Sequence, residues 1–192
     1  MLTDSEKKLI DEIKRGNTNA FSELVDIYKD LVFTLSLRML ANREEAEEVA
    51  QDTFLKIFNA LPKFKGDSKV STWIYRIAYN TCLDRLRANK KSRVFKDVAE
   101  MEGIIFKDMD NALDSMIMDE RNAMVNACLA QLSSEDAGLL TLFYFEDKSL
   151  IEIEKVLNTP VGVLKVRLFR ARKRFAKVLE MSFKSEIFQD NG

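Results

Sequence analysis

The stretch from Ser149 to Val178, SLIEIEKVLNTPVGVLKVRLFRARKRFAKV, decides how the rest of the chain is read. Ser149 is followed three residues on by Glu152, the spacing of a capping box, so a short helix starts here and Asn158 ends it. Thr159 is expected to cap a second helix, with Pro160 at its first position, where a missing N–H costs nothing. At about 100° per residue, Leu164, Leu168, Ala171, Phe175 and Val178 share one apolar stripe that should face a core. Roughly opposite stand Val166, Phe169, Arg170, Lys173 and Lys177, with Lys165 and Arg172 on one flank. Between Lys165 and Lys177 there are seven basic residues and no acidic one. A helix with an apolar back, a basic front and an out-turned Phe suits a DNA major groove. Cations neutralise phosphates there, and a few side chains meet base edges or thymine methyls. The first helix would brace it, as in a helix-turn-helix. The bland alternative is a basic helix that only faces water, with Phe169 packed on a neighbour.

The composition fits that reading. A chain of 192 residues makes one domain or two small ones. Six Gly, two Pro and the absence of any period-2 strand pattern point to an all-α fold. The apolar runs fall far short of the ~20 residues a membrane span needs. The start, MLTDSEKKLIDEIK, reads as a capped, acid-containing helix rather than a secretory signal, so a cytoplasmic protein is expected. Cys82 and Cys128 lack metal-ligand spacing and are expected to be packed, reduced thiols. With no histidine, no Gly-rich phosphate loop and no nucleophile elbow, neither an enzyme nor a bound cofactor or metal is expected. Net charge is −1, but its distribution is uneven. Asp97, Glu100, Glu102, Asp108, Asp110, Asp114 and Asp119 crowd an aperiodic middle, while the flanking segments are nearly neutral. Local positive charge beside an acidic middle does not suit a general polyanion binder.

In chain order, Thr3 and Glu6 open a first helix that should end near Arg15-Gly16. A longer one follows, with Phe21, Leu24, Val25, Tyr28, Val32, Leu35 and Met39 on its inner face. Asn42 caps a third, where Ala46, Ala50, Thr53, Ile57 and Leu61 face inward. Its acids suit a helix N-terminus and taken alone are a solvated face. Leu55 and Phe58 lie off the inner stripe near Glu48, Gln51 and Asp52, however, which is a pattern for protein docking. The loop PKFKGDSKVST then leads to Ser71-Thr72, expected to cap a helix with Trp73, Ile74, Ile77, Ala78 and Thr81 inside. Arg76, Asn80, Asp84 and Arg87 make a polar strip on it. Beside the loop's Phe64, Lys65 and Lys69, that strip suits a nucleic acid whose unstacked bases meet aromatics, or else an ordinary wet face. Residues 1–92 are thus expected to form one domain, 93–119 an acidic linker and 120–192 a second, four-helix domain. Ser134 should cap the helix EDAGLLTLFYF, where Gly138 is a poor mid-helix residue with no role visible in the sequence.

Three stretches together resemble one family, the extracytoplasmic-function sigma factors of bacterial RNA polymerase. AFSELVDIYKDLVFTL and EEAEEVAQDTFLKIFNALPKFKGDSKVSTWIYRIAYNTCLDRLR look like the family's region 2, and SLIEIEKVLNTPVGVLKVRLFRARKRF looks like its region 4. The resemblance implies an initiation factor that docks on core RNA polymerase, at the β′ clamp and the β flap, and binds promoter DNA. It implies that Glu48, Gln51, Asp52, Leu55 and Phe58 meet the β′ clamp coiled coil. It puts Phe64, Lys65, Asp67, Ser68, Lys69, Arg76 and Asn80 on the −10 element, which they read and melt. Lys165, Val166, Phe169, Arg170 and Lys173 would read the −35 element. The acidic linker would run through the RNA exit channel, and an anti-sigma factor is an implied partner. The chain departs from the family's usual GTVKSRLFRA with GVLKVRLFRA, so Val163 and Val166 replace hydroxyl residues and Val166 offers only apolar contact. Glu154 likewise stands where the family prefers a small Ala.

Two other classes fit parts of the pattern. A stand-alone helix-turn-helix regulator would use the second domain but has no need of residues 42–80. A sigma-like decoy with vestigial DNA faces would tolerate Val163 and Val166.

Overall fold

The computed structural model describes residues 3–93 and 114–189, and its described residues are helical with turns between them. The first lobe holds α1 (Asp4–Lys14), α2 (Thr18–Leu40), α3 (Arg43–Ala60) and α4 (Val70–Arg93). A 3-10 turn, Leu61–Lys63, joins the last two. The second lobe holds α5 (Asp114–Ala130), α6 (Ser134–Leu140), α7 (Leu150–Leu157) and α8 (Val161–Gln189).

Sequence chemistry sets most of the boundaries. Thr3 and Glu6 form the expected capping box of α1, and Ser149 with Glu152 that of α7. Gly16, at φ +90°, supplies the left-handed turn out of α1. Asn42 Oδ1 accepts the Glu45 amide and starts α3.

Four boundaries differ from expectation. The Lys69 carbonyl accepts the Trp73 amide at 3.2 Å and Val70 is buried, so α4 starts at Val70 and encloses Ser71 and Thr72. Ser133, not Ser134, caps α6 through the Asp136 amide. Thr159 does not cap α8, because its hydroxyl donates to the Leu157 carbonyl and Pro160's carbonyl takes the first helical bond, from Leu164. The second lobe begins at Asp114, which puts Asp114 and Asp119 in a helix instead of the linker. The remaining linker acids, Asp97 to Asp110, lie outside the described residues.

Most of the inner stripes read from the sequence lie in the observed core, which also takes in Val49 and Cys82. Leu24, Val32, Leu35 and Met39 of α2 pack with Ala46, Val49, Thr53 and Ile57 of α3 and Ile74, Ala78 and Cys82 of α4. In the second lobe Leu164, Leu168 and Ala171 of α8 close on Leu139, Leu142, Ile153 and Val156. The two lobes share one continuous hydrophobic core, with α7 along α4, and α5 and α6 on α2. Tyr75 and Tyr79, off the inner stripe of α4, are buried by that second layer.

Gly138 has its reason here. A Cβ at that position would lie 3.0 Å from Tyr79 Cε2 and 3.1 Å from Met39 Sδ. The missing side chain lets α6 approach the first lobe closely, which outweighs the helix-propensity cost of glycine, about 1 kcal/mol. After α6 the chain widens into a π-helical turn, Thr141–Phe145, closed by Glu146 N–H on the Thr141 carbonyl. That turn delivers Phe145 and Glu146 to the seam between the lobes, where they meet Arg38 and Tyr75.

Candidate DNA- and polymerase-binding surfaces

Helix α3 presents the acidic-apolar stripe. Glu48, Gln51, Asp52, Leu55 and Phe58 are all exposed, following the helix's three- and four-residue spacing. They are not equally free. Arg85 reaches Glu48 at 2.7 Å, and Phe58 stands edge-on to Phe21 with ring centroids 4.9 Å apart. Leu55, 63% exposed, is the bare apolar group of the stripe.

The loop after α3 carries a correction. Phe64 is only 8% exposed and stacks at 4.8 Å on Trp73, with its carbonyl held by Lys14. Its ring anchors the loop to the core, so it has no open face for a base. Lys65 and Asp67 are exposed and Ser68 is half-buried, on a loop turned by Gly66 at φ +80°. Arg76 and Asn80 are exposed on α4 and make no side-chain hydrogen bond or ion pair among the described residues. Further along the same strip Asp84 is taken by Lys56 at 3.7 Å and Arg87 at 3.3 Å. The strip therefore divides into an unpaired half beside the loop and a self-neutralised half.

Lys69 is engaged as well, by the other lobe. Its ammonium lies 2.8 Å from Glu152 Oε1, while Lys155 Nζ donates to the Asp67 carbonyl at 3.3 Å. The Lys69 ammonium holds the Glu152 carboxyl well below its ordinary range, at about 2, assisted by the Ser149 hydroxyl and amide. Nearby, Tyr75 donates its hydroxyl to Glu146. Arg38 donates to Asn126 at 3.1 Å and lies 3.9 Å over the Phe145 ring. None of these interlobe partners was legible from local patterns. The one signal was the unexplained Gly138.

Helix α8 shows the basic face almost as expected. Lys165, Val166, Phe169, Arg170 and Lys173 are exposed, with Phe169 at 52% and the Lys173 ammonium 4.8 Å over its ring. Two of the seven cations do a different job. Arg167 meets Glu135 at 2.5 Å, and Arg174 Nε meets the buried Asp136 at 2.7 Å. Both acids sit in the first turn of α6, so these pairs tie the basic helix to its neighbour. Burial raises the Cys82 thiol to about 11, which leaves it protonated and unreactive at neutral pH.

Comparison with known proteins finds two family matches along the chain. Sigma-70 region 2 matches residues 24–92, and Sigma-70 region 4 matches 123–175. The chain is 36% identical to the ECF RNA polymerase sigma factor SigW of Bacillus subtilis, over 90% of this chain and 96% of that protein. It is 35% identical to the RNA polymerase sigma-H factor of Pseudomonas aeruginosa, over 94% and 97%. Among solved structures, the fold is similar to that of the sigma factor RpoE bound to the anti-sigma factor NepR from Bartonella quintana. That likeness has a TM-score of 0.70 at 19% identity, covering 83% of this chain and 96% of that one. It is also similar to CnrH in complex with the cytosolic domain of CnrY, with a TM-score of 0.64 at 21% identity, covering 93% and 99%. With both regions matched in order and such identity over nearly the whole length, the chain belongs to the extracytoplasmic-function (ECF) family of RNA polymerase sigma factors.

Proposed function

We propose that this sigma factor directs core RNA polymerase to promoters through three surfaces, one for the polymerase and two for DNA, and catalyses no reaction itself. The α3 stripe of Glu48, Gln51, Asp52, Leu55 and Phe58 docks on the β′ clamp of core RNA polymerase, with Leu55 as its apolar anchor. The loop residues Lys65, Asp67, Ser68 and Lys69, with Arg76 and Asn80 on α4, read and open the −10 element. Phe64 supports that loop from behind. Lys165, Val166, Phe169, Arg170 and Lys173 on α8 read the −35 element, where Val166 and Phe169 suit thymine methyls. The second lobe also meets the β flap, residues 94–113 connect the lobes through the polymerase, and an anti-sigma factor restrains the free protein in the cytoplasm.

The observation that carries this reading is the exposed front of α8, where five exposed cations, none held by an acid among the described residues, surround two apolar groups in the segment matched by region 4. A stand-alone regulator has no use for the clamp stripe and −10 loop of the other lobe. The test is transcription in vitro. Core polymerase with the purified chain should initiate at promoters selected from random sequence, which core alone ignores. Loss of initiation with Arg76→Ala and Asn80→Ala, at unchanged binding to core, supports the −10 assignment. Full activity of both variants refutes it.

A further inference from the structure

Seven cations on one helix, all turned to DNA, would make α8 a strong binder of any duplex. Each cation that neutralises a phosphate steepens the fall of log affinity with log salt by about 0.9. Helix α8 does not present all seven. Arg167 lies against Glu135 at 2.5 Å, and Arg174 Nε against Asp136 at 2.7 Å. The two arginines are seven residues apart in the sequence. They therefore stand two turns apart on one flank, between the exposed front and the buried stripe of Leu164, Leu168 and Ala171. Glu135 and Asp136 are neighbours in the first turn of α6, which packs on α8.

An ordinary helix start explains less than this. Acids in a first turn suit the helix dipole, and Ser133 already caps α6 through the Asp136 amide. Neither role requires carboxylates that reach sideways to guanidinium groups. A tie between the helices would be served by the buried Asp136 alone, since an exposed pair such as Glu135 with Arg167 adds little to folding stability. Its position relative to DNA matters more. A helix about 10–12 Å wide fills a major groove about 12 Å across, so its front meets base edges and its flanks meet phosphates. Arginine is the side chain best shaped to take a phosphate with two N–H groups. Arg167 and Arg174 keep 30% and 53% of their side-chain surface exposed, so α6 holds their charge without covering them.

We infer that Glu135 and Asp136 act as a charge brake on α8: they withhold Arg167 and Arg174 from the DNA backbone and so hold down the sequence-independent part of its binding. The inference rests on the −35 assignment of α8 and adds how that surface limits its own affinity. Two withheld contacts at about 0.9 each change the loss of affinity between about 50 and about 200 mM salt by roughly tenfold. A smaller phosphate contribution leaves base contacts by Val166, Phe169 and Arg170 a larger share of the total.

The test measures affinity and salt slope together. The full chain, as wild type, Glu135→Gln, Arg167→Ala and the double variant, is titrated between about 50 and about 200 mM salt with two duplexes. One has random sequence, and the other carries the −35 element of a promoter selected with the wild-type holoenzyme. Glu135→Gln should bind both several-fold more tightly and steepen the salt slope by about one unit, the mark of one added phosphate contact. Adding Arg167→Ala should abolish both gains. Binding by Glu135→Gln no tighter than that of the wild type, or an unchanged slope, overturns the inference. So does a gain that persists without Arg167, because the carboxylate then acts only by repelling phosphate. In a folded Asp136→Asn chain the slope should steepen as well, and an unchanged slope removes Arg174 from the brake. Arg170→Ala, measured on point variants of the −35 duplex, separates the two readings. Flattened discrimination there beside an indifferent Glu135→Gln overturns the brake and leaves the −35 assignment standing. No effect of either variant overturns both.

Discussion

Glu152 serves two structures with its two oxygens. Oε2 accepts the Ser149 amide at 3.0 Å and hydroxyl at 2.8 Å, which closes the capping box, while Oε1 meets Lys69 across the seam. The first role follows from a spacing of three residues and was readable in the sequence. The second needs two segments over eighty residues apart to meet, and no local pattern encodes that. The pH consequence has a definite sign. The folded value of about 2 lies below the ordinary 4.5, so the contact favours the deprotonated carboxylate. Its contribution is complete above about 4.5 and is lost as pH falls through about 2. The groups facing Glu152 are Lys69 and Ser149, with Lys155 one turn on along α7. In a carboxyl NMR titration Glu152 should titrate near the bottom of that window, and Lys69→Ala should move its midpoint upward. An unmoved midpoint would show that the cap alone depresses it.

At the scale of elements, α8 and α3 each mix binding groups with structural ones. From sequence, five of the seven cations of α8 were placed on its basic face, and Arg167 and Arg174 had no assigned role. The structure sets Arg167 and Arg174 apart, because Glu135 and Asp136 of α6 hold them. Arg170→Ala should therefore cost ~1–3 kcal/mol on the preferred −35 sequence and flatten discrimination at one position. Arg174→Ala should instead leave the buried Asp136 carboxylate unpaired, at a cost of ~1–3 kcal/mol in thermal or denaturant unfolding. Its relative affinities across −35 point variants should stay unchanged. Binding series on those variants, read beside melting curves, would show either assignment to be misplaced. On α3, Leu55 is the cleaner probe because Phe58 also packs on Phe21. Leu55→Ala should weaken core polymerase binding by ~2 kcal/mol while folding stays intact by circular dichroism. Helical periodicity found these faces because solvent and core alternate every three to four residues. It misplaced Phe64, since an aromatic in a lysine-rich loop has no period to reveal that its ring turns inward onto Trp73.

At the scale of the whole molecule, the two-lobe plan was legible from the charge distribution and the two sets of caps. The packing of one lobe on the other was not, although Gly138 carried its trace as a residue with no role in its own helix. Gly138→Leu should improve the helix propensity of α6 yet force the lobes apart. Small-angle scattering should give a radius of gyration near the ~16 Å of a compact chain this size for the wild type, and well above ~20 Å for the variant. The most direct test follows one distance across the seam. Dyes on cysteines replacing the exposed Lys63 and Ile151 would flank the Lys69–Glu152 contact. The packing of the two lobes predicts efficient energy transfer in the free chain, from a separation within about 30 Å, and a marked fall when Gly138→Leu is added. Weak transfer in the free chain, or transfer unchanged by Gly138→Leu, would contradict it.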